Sequence, residues 1–425
     1  MKTPIDWLEN EVSEWAREQI ISAESAAKIL ARYQNDAPKT NWATAIFAAF
    51  GATLIALGII SLFAFNWEEL TRGAKGIVAL LLLTLAQSIA IYAKLKKPQS
   101  AAHAEGASLF LLLAFTGALA IVAQTYHLGG NAIDFTKVVI ALTLPLIYIF
   151  NSKGASAILF IAIAALICVL ADGGEPQALG WIYMAAWFPW YVLRLIYRRD
   201  SHATQAFNLL FMFGALAIMN AELAEYIHGA AAWIYQSLFF AAFWLASALA
   251  YPNHTGFFKR PAEEIAKLAI ALMLLTASVD GAFYWWGYGD DREYQIAPVF
   301  YLASALYFAL FGFFVVKLRE RLWELIVPIA PLIFYAALSA EMDKRMIWFF
   351  SFACLIGGAA FIFGGVRRLN TTLAYQGIVW LAALFAIRFF DSDLGFIEKG
   401  VGFIVVGIAF LATNVLIRRY IKDAK

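Results

Sequence analysis

The sequence predicts an all-α fold, a polytopic transmembrane helix bundle of about fourteen spans, with both termini on the cytoplasmic side and a short cytosolic helical hairpin at the N-terminus. Three observations carry that expectation: an apolar composition, a series of membrane-length apolar runs, and an alternation of charge between the loops. Of the 425 residues, 62% are hydrophobic and only 15% charged, against roughly half and about a quarter in ordinary globular chains. A water-soluble globule so composed would lack the polar surface to cover itself. The 36 Phe, 18 Tyr and 14 Trp point the same way, since large aromatics favour cores and membrane interfaces. A formal net charge of +2 excludes polyanion binding driven by bulk charge, so no nucleic-acid partner is expected. Cys168 and Cys354 both lie in apolar runs, which argues against a disulfide framework or a thiolate metal site.

Taken in order, residues 1–41 form the first expected domain and residues 42–425 the second, the multi-pass transmembrane helical domain. In the first, Thr3, Pro4 and Asp6 read as an N-cap, a first-turn proline and an acid at the third helical position. Ile5, Leu8, Val12 and Trp15 then recur at helical spacing. Ser22 with Glu24 restarts a second helix carrying Ala26, Ile29, Leu30 and Tyr33, which the Asn35-Asp36-Ala37-Pro38 stretch breaks. The expected seam of this hairpin is Leu8, Val12, Trp15, Leu30 and Tyr33. The segment has neither the apolar centre of a signal peptide nor the basic excess of a membrane-surface helix.

A helix crossing about 30 Å of hydrocarbon needs roughly 20 apolar residues. Fourteen runs approach that length: 42–65, 76–93, 106–123, 136–150, 154–171, 178–196, 203–221, 229–251, 265–285, 296–316, 322–340, 346–366, 371–387 and 397–417. The fourth is the weakest, being short, interrupted by Pro145 and separated from the fifth only by Asn151, Ser152 and Lys153. Cytoplasmic flanks retain Lys and Arg during insertion. With the N-terminus inside, the inner flanks hold 24 of the 32 basic residues and 14 of the 30 acidic ones, giving +10 inside and −8 outside. An error in the number of spans would scramble this alternation from the point of error onward, and it holds to the C-terminus.

Three landmarks carry a family resemblance: the hairpin from Trp7 to Tyr33, the phrase Gly58-Ile-Ile-Ser-Leu-Phe-Ala-Phe-Asn66-Trp67-Glu68, and Ala123-Gln124-Thr125-Tyr126-His127-Leu128-Gly129-Gly130. Over roughly residues 5–150 the chain resembles bacterial predicted membrane proteins of the domain-of-unknown-function 2157 family. The ending, Arg388-Phe-Phe-Asp391 with a Gly-rich last helix and Arg418-Arg419, is similar to the C-terminal part of the same and related groups. The resemblance implies a polytopic architecture and a bacterial inner-membrane (cytoplasmic membrane) location. It implies no reaction, no cofactor and no catalytic residues.

Candidate chemistry is sparse. Gln87 is the strongly polar side chain nearest a span centre, while Asn208, Gln236, Gln376 and Asn414 sit off-centre, and interhelical hydrogen bonding accounts for such amides. The outward face is richer. Gln124, Tyr126 and His127, beside the Gly129-Gly130 turn, read as a re-entrant-like exit from the third span or as a plain periplasmic turn. Asp280 and Tyr284 open an acidic and aromatic stretch, 280–294, able to hold a glycan or polar headgroup, or simply to form an interfacial belt. Arg388 and Asp391, one turn apart, suit an ion bridge at the outer interface or an anion clamp. Asp280 lies more than a turn inside an apolar run, where a carboxylate needs a partner. The expected substrate cavity therefore joins Gln124, Tyr126, His127, Asp280, Tyr284, Arg388 and Asp391. Glu222, Glu225 and His228 have metal-ligand spacing, but di-metal carboxylate sites need such a motif twice, and a solvated helix end is expected. Pro145, Pro189, Pro328 and Pro331 interrupt spans, and Cys354, Gly358, Ala360 and Gly364 give small-residue spacings that mark close helix packing. No phosphate-binding loop, nucleophile elbow or zinc-protease motif occurs in the sequence.

The leading functional expectation is a transporter or flippase-like carrier for an amphipathic or lipid-linked substrate. The alternatives are a membrane scaffold that docks a cytosolic or membrane protein partner through the hairpin, and an intramembrane enzyme acting on lipid or glycan. The lipid bilayer is the one partner that composition requires.

Overall fold

The computed structural model describes residues 11–12, 14–34, 69–98, 100–173, 176–198, 201–224, 229–251, 260–279, 298–315, 319–339 and 345–390. Every regular element among them is helical, with no strand. Two compact units divide the chain at Met1–Gly76 and Ile77–Lys425.

In the first unit, residues 14–17 are helical and the chain then turns through Gln19 in the left-handed region, φ 59°. Helix α1, Ala23–Gln34, follows. Its start is the one the sequence predicts: the Ser25 N–H donates to Ser22 Oγ at 3.1 Å, satisfying an otherwise orphaned donor of the first turn, and Glu24 supplies the first-turn acid. Val12 is fully buried and Ala26 nearly so. Leu8, the side chain of Tyr33 and the first expected span, 42–65, lie outside the described residues.

The second unit is built from helices whose boundaries follow local chemistry. Its amino-terminal part contains all but the first turn of α2 (Arg72–Lys96), then α3 (Ala101–Thr125), α4 (Ala132–Thr143), α5 (Pro145–Phe150), α6 (Lys153–Asp172), α7 (Ala178–Tyr197) and α8 (His202–Glu222). Pro145 lacks an N–H and divides the fourth expected span into α4 and α5. Asn151 then turns the chain at φ 50° and Ser152 caps α6, accepting from the Ala155 N–H at 3.2 Å. Helix α6 is the centre of this part: Leu159, Phe160, Ile163, Ile167 and Leu170 are essentially without exposed surface. Trp187 of α7 packs on Phe160 at 4.6 Å and stacks on Tyr191 at 5.5 Å, while its Nε1 donates to Ser156 Oγ at 2.8 Å. That bond gives the buried indole the partner it requires.

The remaining described helices are α9 (Gly229–Ala250), α10 (Pro261–Ala277), α11 (Pro298–Phe314), a 3₁₀ segment (Arg319–Glu324), α12 (Ile326–Ser339), α13 (Arg345–Arg367) and α14 (Thr371–Phe390). Their core stacks Trp233 on Phe334 at 5.5 Å and sets Phe350 tilted against Phe334 at 5.3 Å. Tyr307 of α11 donates its hydroxyl to the Pro328 carbonyl of α12 at 3.0 Å. The small-residue spacing in α13 does what the sequence predicts. A Cβ placed on Gly377 of α14 would lie 2.5 Å from the Gly358 carbonyl oxygen, and one on Gly365 would lie 2.4 Å from the Ala374 nitrogen. The two backbones meet where any larger residue would hold them apart.

Eight described helical stretches are long and apolar enough to cross a membrane: 72–96, 102–125, 132–150, 153–172, 202–222, 231–250, 345–367 and 371–390. Helices α7, α10, α11 and α12 overlap the sixth, ninth, tenth and eleventh expected spans, but as described they fall short of that length or hydropathy. The fourteenth, 397–417, lies outside the described residues. Leu80, Leu81, Trp181, Ile182, Leu302, Phe352 and Phe363 face outward, an apolar exterior suited to acyl chains.

Candidate functional site

The sequence places few ionisable groups at depth, yet the second unit gathers seven, six of them buried and Arg368 a quarter exposed at the edge. Arg260 precedes α10, whose first turn begins at Pro261 and carries Glu263 and Glu264, where the helix dipole favours acids. Lys267 follows one turn on. The 3₁₀ segment contributes Arg321 and Glu324, and Arg368 follows the end of α13. Glu263 has no exposed surface, and Arg260, Glu264, Lys267, Arg321 and Glu324 have at most 6%.

Their pairing is dense. Arg321 Nη1 bonds Glu263 Oε1 at 3.0 Å and Arg260 Nη1 bonds the other oxygen, so this carboxylate is held from both sides. Lys267 Nζ reaches Glu264 at 2.9 Å, Glu324 at 3.4 Å and Glu263 at 3.7 Å. Arg368 closes the network on Glu324 at 3.2 Å. Burial of charge is costly unless each ion is paired and further hydrogen-bonded, and the arrangement meets most of that demand. Gln376 of α14 donates to Glu264 Oε2, while its own Oε1 is buried and accepts no hydrogen bond from the described residues. Glutamine 376 was expected to serve as an interhelical amide, and it does so with a carboxylate as its partner.

Beside the network runs a groove of about 420 Å³ between α10 and α14. Leu268, Ala271, Leu272 and Leu275 form one wall, Val379 and Ala383 the other, and Phe361 of α13 also lines it. Glu264, Lys267 and Gln376 lie at the polar end of its lining. Leu268, Leu272 and Val379 each expose more than half of their surface, so the groove opens sideways. It is an apolar slot ending in hydrogen-bonding groups, the layout in which polar side chains orient a largely apolar ligand.

The seven residues expected from sequence are distributed as follows. Gln124, Tyr126 and His127 stand together, exposed, at the C-terminal end of α3. The chain leaves that helix through a left-handed cap: His127 has φ 50° and the Leu128 N–H donates to the Ala123 carbonyl at 3.0 Å, the six-to-one bond that closes a helix C-terminus. This capping bond accounts for the turn locally, and the flanking Gly130 takes φ 126°. Arg388 is half-buried in the last turn of α14. Asp280, Tyr284 and Asp391 lie outside the described residues, as do Glu225 and His228.

Sequence reasoning missed the buried network because each member reads as a solvated flank. A usable signal was present: Lys267 and Glu324 fall inside the apolar runs 265–285 and 322–340, on flanks assigned to the same side and with opposite charge.

With every described regular element helical, eight membrane-length apolar helices among the described residues and an apolar exterior, the chain is a multi-helix membrane protein. Residues 13–156, about a third of the chain, match the model of the family described as predicted membrane protein (DUF2157). Two of the landmarks, 58–68 and 123–130, and nearly all of the described part of the first fall within that match, whereas those at Arg388 and Arg418 lie beyond it. Neither curated proteins nor solved structures yield a match.

Proposed function

We propose that this protein binds an amphipathic or lipid-linked molecule in the groove between α10 and α14 and acts as a transporter or flippase-like carrier for it. The observation that carries the reading is the groove itself, apolar along its walls, open sideways, and ending at Glu264, Lys267 and Gln376. A ligand entering from the bilayer keeps its chain against Leu268, Leu272 and Val379 and presents its head to the buried polar groups.

In this reading the bundle has about fourteen spans, with both termini cytoplasmic in a bacterial inner membrane. Every member of the ion network then belongs to a flank assigned to the inner side. The multiple pairing of Lys267 supports movement: three carboxylates lie within reach of one ammonium, so neighbouring segments can shift while the charge exchanges partners. Interfaces that repack salt bridges between two arrangements are a known way to switch conformation.

The test has two readouts. Lipids retained by the purified full-length protein are identified by mass spectrometry, and the protein in vesicles is assayed for movement of a fluorescent lipid analogue between leaflets. Expected are a retained amphipath that Val379→Trp, which fills the groove, displaces, and transbilayer movement that the same variant slows. Retention without movement favours the scaffold reading. A variant identical to wild type in both assays removes the groove from the proposal.

A further inference from the structure

A second cavity, of about 570 Å³, lies in the amino-terminal part of the second unit and is independent of the groove. Helix ends surround it: Lys94 in the last turn of α2, Glu105 near the start of α3, Lys153 at the start of α6, and Arg194 and Arg198 at the end of α7. Among the described residues lining it, these four cations meet a single carboxylate.

That carboxylate is already engaged. Glu105 Oε2 accepts from Ser152 Oγ at 2.7 Å and from the Gly154 N–H at 3.0 Å, and Oε1 accepts from the Lys153 N–H at 2.8 Å. It serves as a cap for α6, reached from a different helix. Lys94 Nζ donates to the Ile149 carbonyl at 2.6 Å and keeps two further N–H donors.

Arg194 is the decisive group. It is 6% exposed, its guanidinium lies over the Trp190 and Phe207 rings at 5.2 and 5.8 Å, and its Nε is buried without an acceptor. Its side chain makes no hydrogen bond or ion pair within the described residues. A cation removed from water normally acquires an anion in exchange; here two aromatic faces supply only part of that stabilisation, and the cavity stands open beside it.

We propose that this cavity binds a phosphate-bearing anion, seated on Arg194 and ringed by Lys94, Lys153 and Arg198. Guanidinium forks match phosphate oxygens in geometry, and lysines add charge. All four cations belong to flanks that the charge partition assigns to the cytoplasmic side, where anionic headgroups and soluble phosphates are both available. The ligand is thus either the headgroup of an anionic phospholipid or a free phosphate compound.

The full-length protein is placed in nanodiscs made from equal parts phosphatidylcholine and phosphatidylglycerol, then extracted into detergent, and its retained lipids are weighed by mass spectrometry. In parallel, inorganic phosphate is titrated calorimetrically onto delipidated protein. Enrichment of phosphatidylglycerol, with weak phosphate binding, identifies the headgroup; phosphate binding without lipid enrichment identifies a soluble anion. Either signal should fall about fivefold for each basic residue removed. Because Arg194 is buried, Arg194→Gln is accompanied by the exposed changes Lys153→Gln and Arg198→Gln, each checked for an unchanged thermal transition. The proposal is overturned if wild type shows neither signal, or if Lys153→Gln and Arg198→Gln together leave both signals where they were.

Discussion

The two polar clusters of the second unit solve the same electrostatic problem in opposite ways. Around Glu263, three carboxylates and three cations are buried, with Arg368 a quarter exposed at the edge, and almost every charge touches its opposite. Around Glu105, one carboxylate is drawn away to cap a helix, four cations are left over, and a cavity opens beside them. The lesson is that a buried charge persists when its partner is built into the chain, and that an unmatched one marks a place where the partner must come from outside. If both proposals hold, the first cluster carries stability and the rearrangement that moves a ligand, and the second supplies a seat for an anion.

The largest expected effect comes from unbalancing the first cluster. Glu263→Ala leaves Arg321 and Arg260 without the oxygens they bond, and breaking a buried pair by removing one member costs about 3–5 kcal/mol. The midpoint of thermal unfolding of the detergent-purified protein should fall sharply. A double change sharpens the comparison. Glu263→Leu with Arg321→Leu removes charge from both sides, and because two apolar residues avoid the desolvation penalty, it should cost less than Glu263→Leu alone. If the double variant is no more stable than the single one, pairing is not what holds the cluster.

Glu105→Ala should act in two directions. Losing a helix cap costs about 1 kcal/mol, so thermal stability should drop modestly. At the same time the cavity loses its only described carboxylate, and retention of anionic lipid or phosphate should rise. Loss of both stability and retention would mean that Glu105 positions the cations rather than merely leaving them unmatched.

Much of this architecture was legible in the sequence. Pro145 marked the break between α4 and α5, Ser22 marked the start of α1, and Gly358 and Gly364 marked places where α13 accepts close neighbours, α14 at the first and Trp323 at the second. Each of these signals acts within a few residues, through a missing donor, a short side chain or a capping hydroxyl. The candidate site was legible only in fragments. Gln124, Tyr126 and His127 read as a polar exit from the third span, and locally they form a helix cap. Glu263, Glu324 and Arg368 lie far apart in the chain, and nothing within a few residues of any of them says that folding will bring them together. Gln376 showed the same limit, since its amide announced a hydrogen bond while giving no hint that Glu264, 112 residues earlier, would receive it.

The smallest expected effect completes the comparison from the other unit. In α1, Lys28 Nζ lies 2.7 Å from Glu24 Oε1, a shorter contact than any between Lys267 and its three carboxylates. Distance alone would rank it above them. Yet both of its side chains are more than three-quarters exposed, so water solvates each ion almost as well apart as together, and salt screens what remains. A pair of this i, i+4 kind contributes well under about 0.5 kcal/mol. Glu24→Gln should therefore leave the unfolding midpoint within the scatter of the measurement, while Lys267→Met, which leaves Glu264 with only the Gln376 amide and Glu324 with only the part-exposed Arg368, should lower it by many times that amount. A Glu24 variant as damaging as the Lys267 one would show that α1 carries a load its exposed pair does not reveal, and burial would cease to be the variable that separates strong ion pairs from weak ones in this protein.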